Sequence, residues 1–190
     1  EEFQRLLESR GDTMDVAIYL AQVGLDRRAL HLFREVAYDN PFRPEPYALG
    51  LASAIRLDDL EGIQWACLGI MRQAWTEDQQ DIELSAARVA RATHERLLAE
   101  GRKEDAARFK QQVDTALIRD CVVKVTWTGD ADIDLFVEEP TGSVCSALDP
   151  RTTSGGVMLG DNYARLGTQS ADGYSEYYVC PQGFNGQYRL

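Results

Sequence analysis

Residues 103–137 read KEDAARFKQQVDTALIRDCVVKVTWTGDADIDLFV, and a change of period inside this stretch decides the fold. Up to Ile118 the apolar residues recur three and four apart, as on one face of a helix. From Cys121 the period drops to two: Val123, Val125 and Trp127 alternate with Val122, Lys124, Thr126 and Thr128. Gly129-Asp130 is a hairpin-type turn signal, after which Ile133, Leu135 and Val137 alternate again. The pattern predicts a helical region over 1–118 and an antiparallel β region over 121–190, with 121–128 and 131–137 as paired strands.

Composition breaks at the same place. The first 118 residues hold six of the fifteen glycines and are rich in Ala, Leu, Arg and Glu, whereas 121–190 hold nine glycines and eight of the seventeen aromatics. Charge does not break there, since both parts are acidic, and the whole 190-residue chain carries 20 Lys and Arg against 31 Asp and Glu, net -11. A phosphate-backbone binder needs a basic footprint, so nucleic acid is not an expected partner. No apolar run approaches the roughly 20 residues that span a bilayer. The first residue is Glu1, which suggests a piece of a longer protein.

In the first part the helical period predicts helices near 13–23, 26–38, 45–57, 59–74, 80–99 and 103–118. Asp26 and Asp59 suit helix starts, and Gly24 and Gly101 suit the left-handed residue that ends a helix. Six helices with short turns make three antiparallel pairs, the plan of an α-solenoid. Residues 13–41 resemble a tetratricopeptide repeat, with Gly24 at the inter-helix turn, Ala29 and Phe33 on the second helix and Pro41 closing the unit. The later pairs keep less of the pattern: Ile63, Cys67 and Trp75 occupy the Ala, Phe and Pro positions of the second, and Lys110 replaces the aromatic of the third. An irregular helical bundle is the alternative. A solenoid binds peptides or partner proteins on its concave side, where Arg27, Arg28, Arg34, Tyr47, Arg56 and Trp75 are candidate contacts.

In the second part, turn signals at Pro140-Thr141-Gly142, Ser154-Gly155-Gly156, Asp172-Gly173 and Asn185-Gly186 separate short strands near 143–147, 156–160, 175–180 and 187–190. Such spacing predicts a β-sandwich or jelly roll, with its last strand cut short. The richest group of functional atoms is Asp130-Ala131-Asp132-Ile133-Asp134. On a strand Asp132 and Asp134 share a face, and two carboxylates some 7 Å apart repel unless water or a cation intervenes. Ca²⁺ wants six to eight hard oxygen ligands, and Asp161 and Glu176, beside glycine-rich turns, are the candidates to complete a site. The alternative is a solvated strand edge or aspartates capping their own turns. The loop is not an EF-hand, because Leu135 and Thr141 stand where that motif needs Gly and Glu.

Trp127, Asp130 to Val137, Glu139-Pro140-Thr141-Gly142, Gly155-Gly156, Asp161, Gly173-Tyr174-Ser175-Glu176 and Gly186-Gln187-Tyr188 together resemble the YfaP-like bacterial domain, a β-sandwich family of unassigned function. The resemblance covers about 65 residues, departs from the family pattern at Ser175, and implies no established reaction. It implies an often exported protein, in which such domains join tetratricopeptide or von Willebrand A modules, and its acidic positions fall on Asp132, Asp134, Asp161 and Glu176. An extracytoplasmic or periplasmic setting is the corresponding expectation.

Of the four cysteines, Cys67 reads as a small buried hydrophobe, while Cys145 and Cys180 each end a candidate strand. A bridge between those two would close a loop of about 35 residues, worth about 3 to 4 kcal/mol, and would need an oxidising compartment. Catalysis has little material. His31 and His94 both lie in the helical part, Leu98 replaces the second His of a metalloprotease signature, and Gly173-Tyr174-Ser175-Glu176-Tyr177 lacks the last Gly of a nucleophile elbow. The residues point to a non-enzymatic interaction or scaffolding segment with a Ca²⁺-stabilised β recognition module. The rival reading is a carboxylate-dependent polysaccharide hydrolase using Asp132, Asp134 and Glu176, or a carbohydrate-binding module whose platform is drawn from Tyr163, Tyr174, Tyr177, Tyr178, Phe184 and Tyr188.

Overall fold

The computed structural model describes residues 12–76, 79–129, 131–161 and 174–190. These form two compact units. The first comprises the described residues up to Arg72 with Asp81–Ala116, and the second comprises Gln73–Gln80 and Leu117–Leu190.

Six helices build the first unit among the described residues: α1 (Asp12–Gln22), α2 (Asp26–Asp39), α3 (Glu45–Arg56), α4 (Leu60–Arg72), α5 (Gln80–Ala99) and α6 (Lys103–Ala116). Glycine sets two of the joints. At the end of α1, Gly24 takes φ 79°, and the amides of Leu25 and Gly24 bond to the carbonyls of Leu20 and Ala21. Gly101 repeats this after α5 with φ 77° and bonds from Arg102 to Leu97 and from Gly101 to Leu98. Both are left-handed terminations that satisfy carbonyls the helix leaves open. The α3–α4 joint has the same pair of bonds, Asp59 to Ala54 and Asp58 to Ile55, but the left-handed residue is Asp58 with φ 51°.

Consecutive helices from α1 to α4 pack on one another, and α4 also packs on α6. Ala29 and Phe33 of α2, Ala54 of α3, and Ala66 and Cys67 of α4 are wholly buried. Gly69 makes room for the Tyr47 ring, which a Cβ at that position would overlap. The predicted helix over 59–74 ends earlier, at Arg72, and Gln73–Gln80 belong to the other unit.

That unit holds a three-stranded antiparallel sheet in the order β1 (Cys121–Trp127), β5 (Tyr174–Cys180), β4 (Val157–Asp161), and a two-stranded sheet of β2 (Val137–Glu138) and β3 (Val144–Cys145). β5 is central, with Cys121 opposite Cys180, Val125 opposite Glu176 and Trp127 opposite Tyr174. Lys124 lies over the Tyr177 ring at 4.9 Å, and the rings of Trp127 and Tyr174 stack at 5.7 Å. One core gathers Leu135, Val137 and Cys145 with Met158, Tyr178 and Cys180. A smaller cluster on Val157 and Val179 takes in Ala74.

The expected hairpin between 121–128 and 131–137 is not there. β1 pairs with the distant β5, and 131–136 carry no strand. The physical reason lies at Leu135: its amide donates to the Glu176 carboxylate Oε2 at 2.5 Å, so a side chain takes the group that a neighbouring strand would have accepted. Trp127 donates its indole N–H to the Ala131 carbonyl at 2.7 Å and ties the same loop down. At the C-terminus the predicted strand over 187–190 is reduced to an isolated bridge between Arg189 and Glu138.

Candidate functional site

Strand alternation sends Glu176, Tyr178 and Cys180 of β5 to one face. Glu176 is only 2 % exposed and Tyr178 is wholly buried. The Glu176 carboxylate holds the Leu135 amide, which places Asp134 immediately beside it in sequence, and the β4–β5 register sets the backbone of Asp161 opposite Glu176. Three of the four expected metal-ligating positions are thus neighbours along the chain or across the sheet. Asp132 and Asp134 themselves are exposed. Among the described residues, no three His, Cys, Asp or Glu side chains form a group able to hold a metal ion. The Asp161 side chain, Asp130, Tyr163 and the Asp172-Gly173 turn lie outside the described residues.

A second carboxylate is buried as well. Glu139, 2 % exposed, follows β2 on the core side of the chain. Its Oε1 accepts from the Tyr178 hydroxyl at 2.6 Å and from Thr152 Oγ1 at 2.8 Å, while Oε2 is buried with no partner among the described residues. Thr152 in turn accepts from the Gly156 amide at 3.0 Å. Burial and then the bond to Glu139 push the Tyr178 phenol far above its usual range, because only the neutral form can donate. The sequence offered a signal for this residue: Leu135, Val137 and Glu139 are two apart and share the inward side, so the alternation that placed Val137 in the core also placed Glu139 there.

The thiols sit in the same environment. Burial first and the Glu139 charge second push Cys145 up to about 11, and both also raise Cys121. Cys67, among the helices, is pushed up to about 12 by burial, and its Sγ lies 3.6 Å from the Ala86 carbonyl. Thiols held this way are poor nucleophiles at neutral pH. Cys145 and Cys180 stand as free thiols in one core, and the cysteine directly across from Cys180 is Cys121, whereas Cys145 opposes Val137.

The expected contacts of the helical part divide. Arg27 and Arg28 are exposed on α2 and have no partner among the described residues. Arg34 is half-buried, lying over the Trp65 ring at 5.5 Å and bonded to Glu61 at 3.1 Å. Two of the others are structural. Tyr47 is 6 % exposed, packs at a tilt against Trp65 with ring centres 5.4 Å apart, and is built into the packing of α3 on α4. Arg56 grips Asp26 with two nitrogens, Nε at 3.0 Å from both carboxylate oxygens and Nη2 at 2.5 Å from one, and bonds Ser53 as well. Asp26, buried at the first turn of α2, has its carboxyl held below the usual range chiefly by that bond.

Trp75 is corrected outright. It is 1 % exposed and belongs to the β unit, where the Arg151 guanidinium lies over its ring at 5.5 Å and bonds the Ala74 carbonyl at 2.5 Å. Arg119 bonds the Gln73 carbonyl at 3.2 Å. Helical spacing in the sequence hid a segment that the β unit claims.

No protein-family model matches the chain, and no match was found among curated proteins or solved structures.

Proposed function

We propose that this chain is a protein-interaction and scaffolding segment whose helical unit binds an extended acidic peptide. One observation carries the reading: Arg27 and Arg28 are consecutive exposed residues in the first turn of α2, with no carboxylate partner among the described residues. Two neighbouring guanidiniums without a carboxylate partner attract an anionic side chain over the short range, about 10 Å or less, that salt leaves unscreened. Helices α1 to α4 packed in sequence fit a tetratricopeptide-like stack, whose open surface suits extended peptides. We read the two sheets, with their shared core, as a small β-sandwich of the YfaP-like kind, in an exported bacterial protein. Among the described residues of that unit the two buried carboxylates, Glu176 and Glu139, each accept hydrogen bonds from the core, which favours a binding module over a hydrolase.

The test is titration of the chain with a panel of acidic, basic and neutral peptides at low and high salt. Acidic peptides should bind, bind more weakly with salt, and lose at least tenfold in affinity to Arg27→Glu/Arg28→Glu. Equal binding of the three classes, or none, refutes it. The exposed Asp132 and Asp134 next to the Glu176 anchor favour Ca²⁺ in the β unit as a second part of the reading. Calcium should raise its unfolding temperature relative to chelator, and Asp134→Ala should abolish the difference; no rise in the parent chain refutes this part.

A further inference from the structure

Three of the four cysteines converge on one core in the β unit. Cys145 and Cys180 lie within it, and Cys121 packs against it from the half-exposed start of β1. The register decides which pair can react. Cys121 is directly opposite Cys180, and opposed residues of an antiparallel pair have Cα atoms about 4.5 to 5.5 Å apart, inside the span of about 4.4 to 6.8 Å that a disulfide bridges. Opposed residues also project to the same face, here the face of Val123 and Tyr178. Cys145 opposes Val137 in the other sheet. Electrostatics agree with the register: Cys121 acts on Cys180 and both act on Tyr188, while neither is among the groups that act on Cys145.

We propose that Cys121 and Cys180 form a redox modification site, a dithiol that a small-molecule disulfide converts into a cross-strand disulfide between β1 and β5. Access fixes the order of events. Cys180 is wholly buried, whereas Cys121 is reached by solvent. Cys121 loses its proton and attacks one sulfur of the reagent, whose other half leaves as a thiolate and takes up a proton. The Cys180 thiol then gives up its proton and attacks the Cys121 sulfur of the mixed disulfide, releasing the second half of the reagent as a thiol. Two protein thiols are oxidised and one external disulfide is reduced to two thiols, so electrons and protons balance. Burial and the Glu139 charge raise the Cys121 thiol, so the reaction is slow at neutral pH and accelerates as pH rises. The product ties the start of an edge strand to the end of the central one. The inference rests on strand register and is independent of the peptide and calcium readings.

The test starts from the reduced full chain, incubated folded with oxidised glutathione at pH 7 and pH 9, then blocked with a maleimide, digested and weighed. Peptides carrying Cys121 and Cys180 should be joined and two hydrogens lighter, with Cys67 and Cys145 recovered as thiols, and the joining should be faster at pH 9. Cys145→Ser should retain the link. Cys180→Ser should stop at one glutathione on Cys121. A Cys145–Cys180 link overturns the proposal, and so does parent chain that keeps both thiols, or only a glutathione on Cys121, after prolonged exposure.

Discussion

Gly156→Ala is a one-methyl change whose cost can be worked from the contacts around Glu139. An added Cβ would lie 2.5 Å from the Tyr178 hydroxyl and 2.7 Å from its ring, and would overlap Glu139 Oε1. Ordinary contact needs about 3.4 to 4 Å, so the ring must retreat by about 1 Å. Tyr178 has no free space to enter, being wholly buried, and its hydroxyl is held 2.6 Å from Glu139. Overpacking of this kind costs about 1 to 3 kcal/mol. Losing a hydrogen bond to a buried charged group adds about 1.5 to 3 kcal/mol. Against this, the alanine restricts the unfolded chain and returns about 0.4 to 1 kcal/mol. The net expectation is a loss of about 2 to 5 kcal/mol in the β unit, which for so small a unit lowers its melting temperature by about 10 °C or more. Denaturant unfolding followed by hydrogen exchange of peptides from 174–180 and from 26–39 separates the two units. Exchange in β5 should rise steeply while α2 is unchanged. In a Tyr178→Phe background the hydroxyl and its bond are already gone, so the same substitution should cost at least 1 kcal/mol less. A loss below about 0.5 kcal/mol, or equal costs in the two backgrounds, refutes the account of this cluster.

Other perturbations separate the two units in the same assay. Trp75→Ala should destabilise the β unit by about 3 to 5 kcal/mol and leave α1–α4 protection intact, whereas a surface contact residue would move neither. The depressed Asp26 carboxyl favours the folded state above its unfolded value, near 3.8, and that contribution is lost as pH falls through the lower folded value. Helical-unit melting should therefore show an acid-side decline below about pH 4 that flattens in Asp26→Asn, measured by circular dichroism from pH 2 to 6. Asp58→Gly relieves a left-handed aspartate but removes its ion pair with Arg96. The gain of about 1 kcal/mol from the backbone exceeds the worth of an exposed pair, so the melting temperature should rise slightly.

The helices were legible in the sequence because their ends are written in local chemistry. Gly24 and Gly101 mark terminations by backbone freedom alone, and the 3.6 period between them names the buried face. The α3–α4 joint was legible for a different reason: Asp58 accepts the left-handed conformation without being glycine, and the interrupted period still showed the break. What failed was long-range. Nothing within a short window says that Cys121 meets Cys180 or that Leu135 gives its amide to a glutamate on β5, so alternation alone made a hairpin of 121–137. The acidic positions divide. Glu176 and Asp161 are neighbours in register, yet Glu176 is an internal anchor, and Glu139, equally buried, stands apart from the acidic positions that the sequence singles out. Trp75 was misplaced because an aromatic three residues past a helix looks the same whether it caps that helix or leaves for another unit.

The claim of the β unit on Gln73–Gln80 makes that unit discontinuous, with all of Asp81–Ala116 inserted between its two pieces. During synthesis Trp75 leaves the ribosome well before Arg151, which covers it, and long before β5 completes the sheet. The indole must wait while α5 and α6 are made. A fragment cut at the change of period would carry every described strand and still lack the tryptophan, so its failure to fold would report the position of the cut and say nothing of the strands.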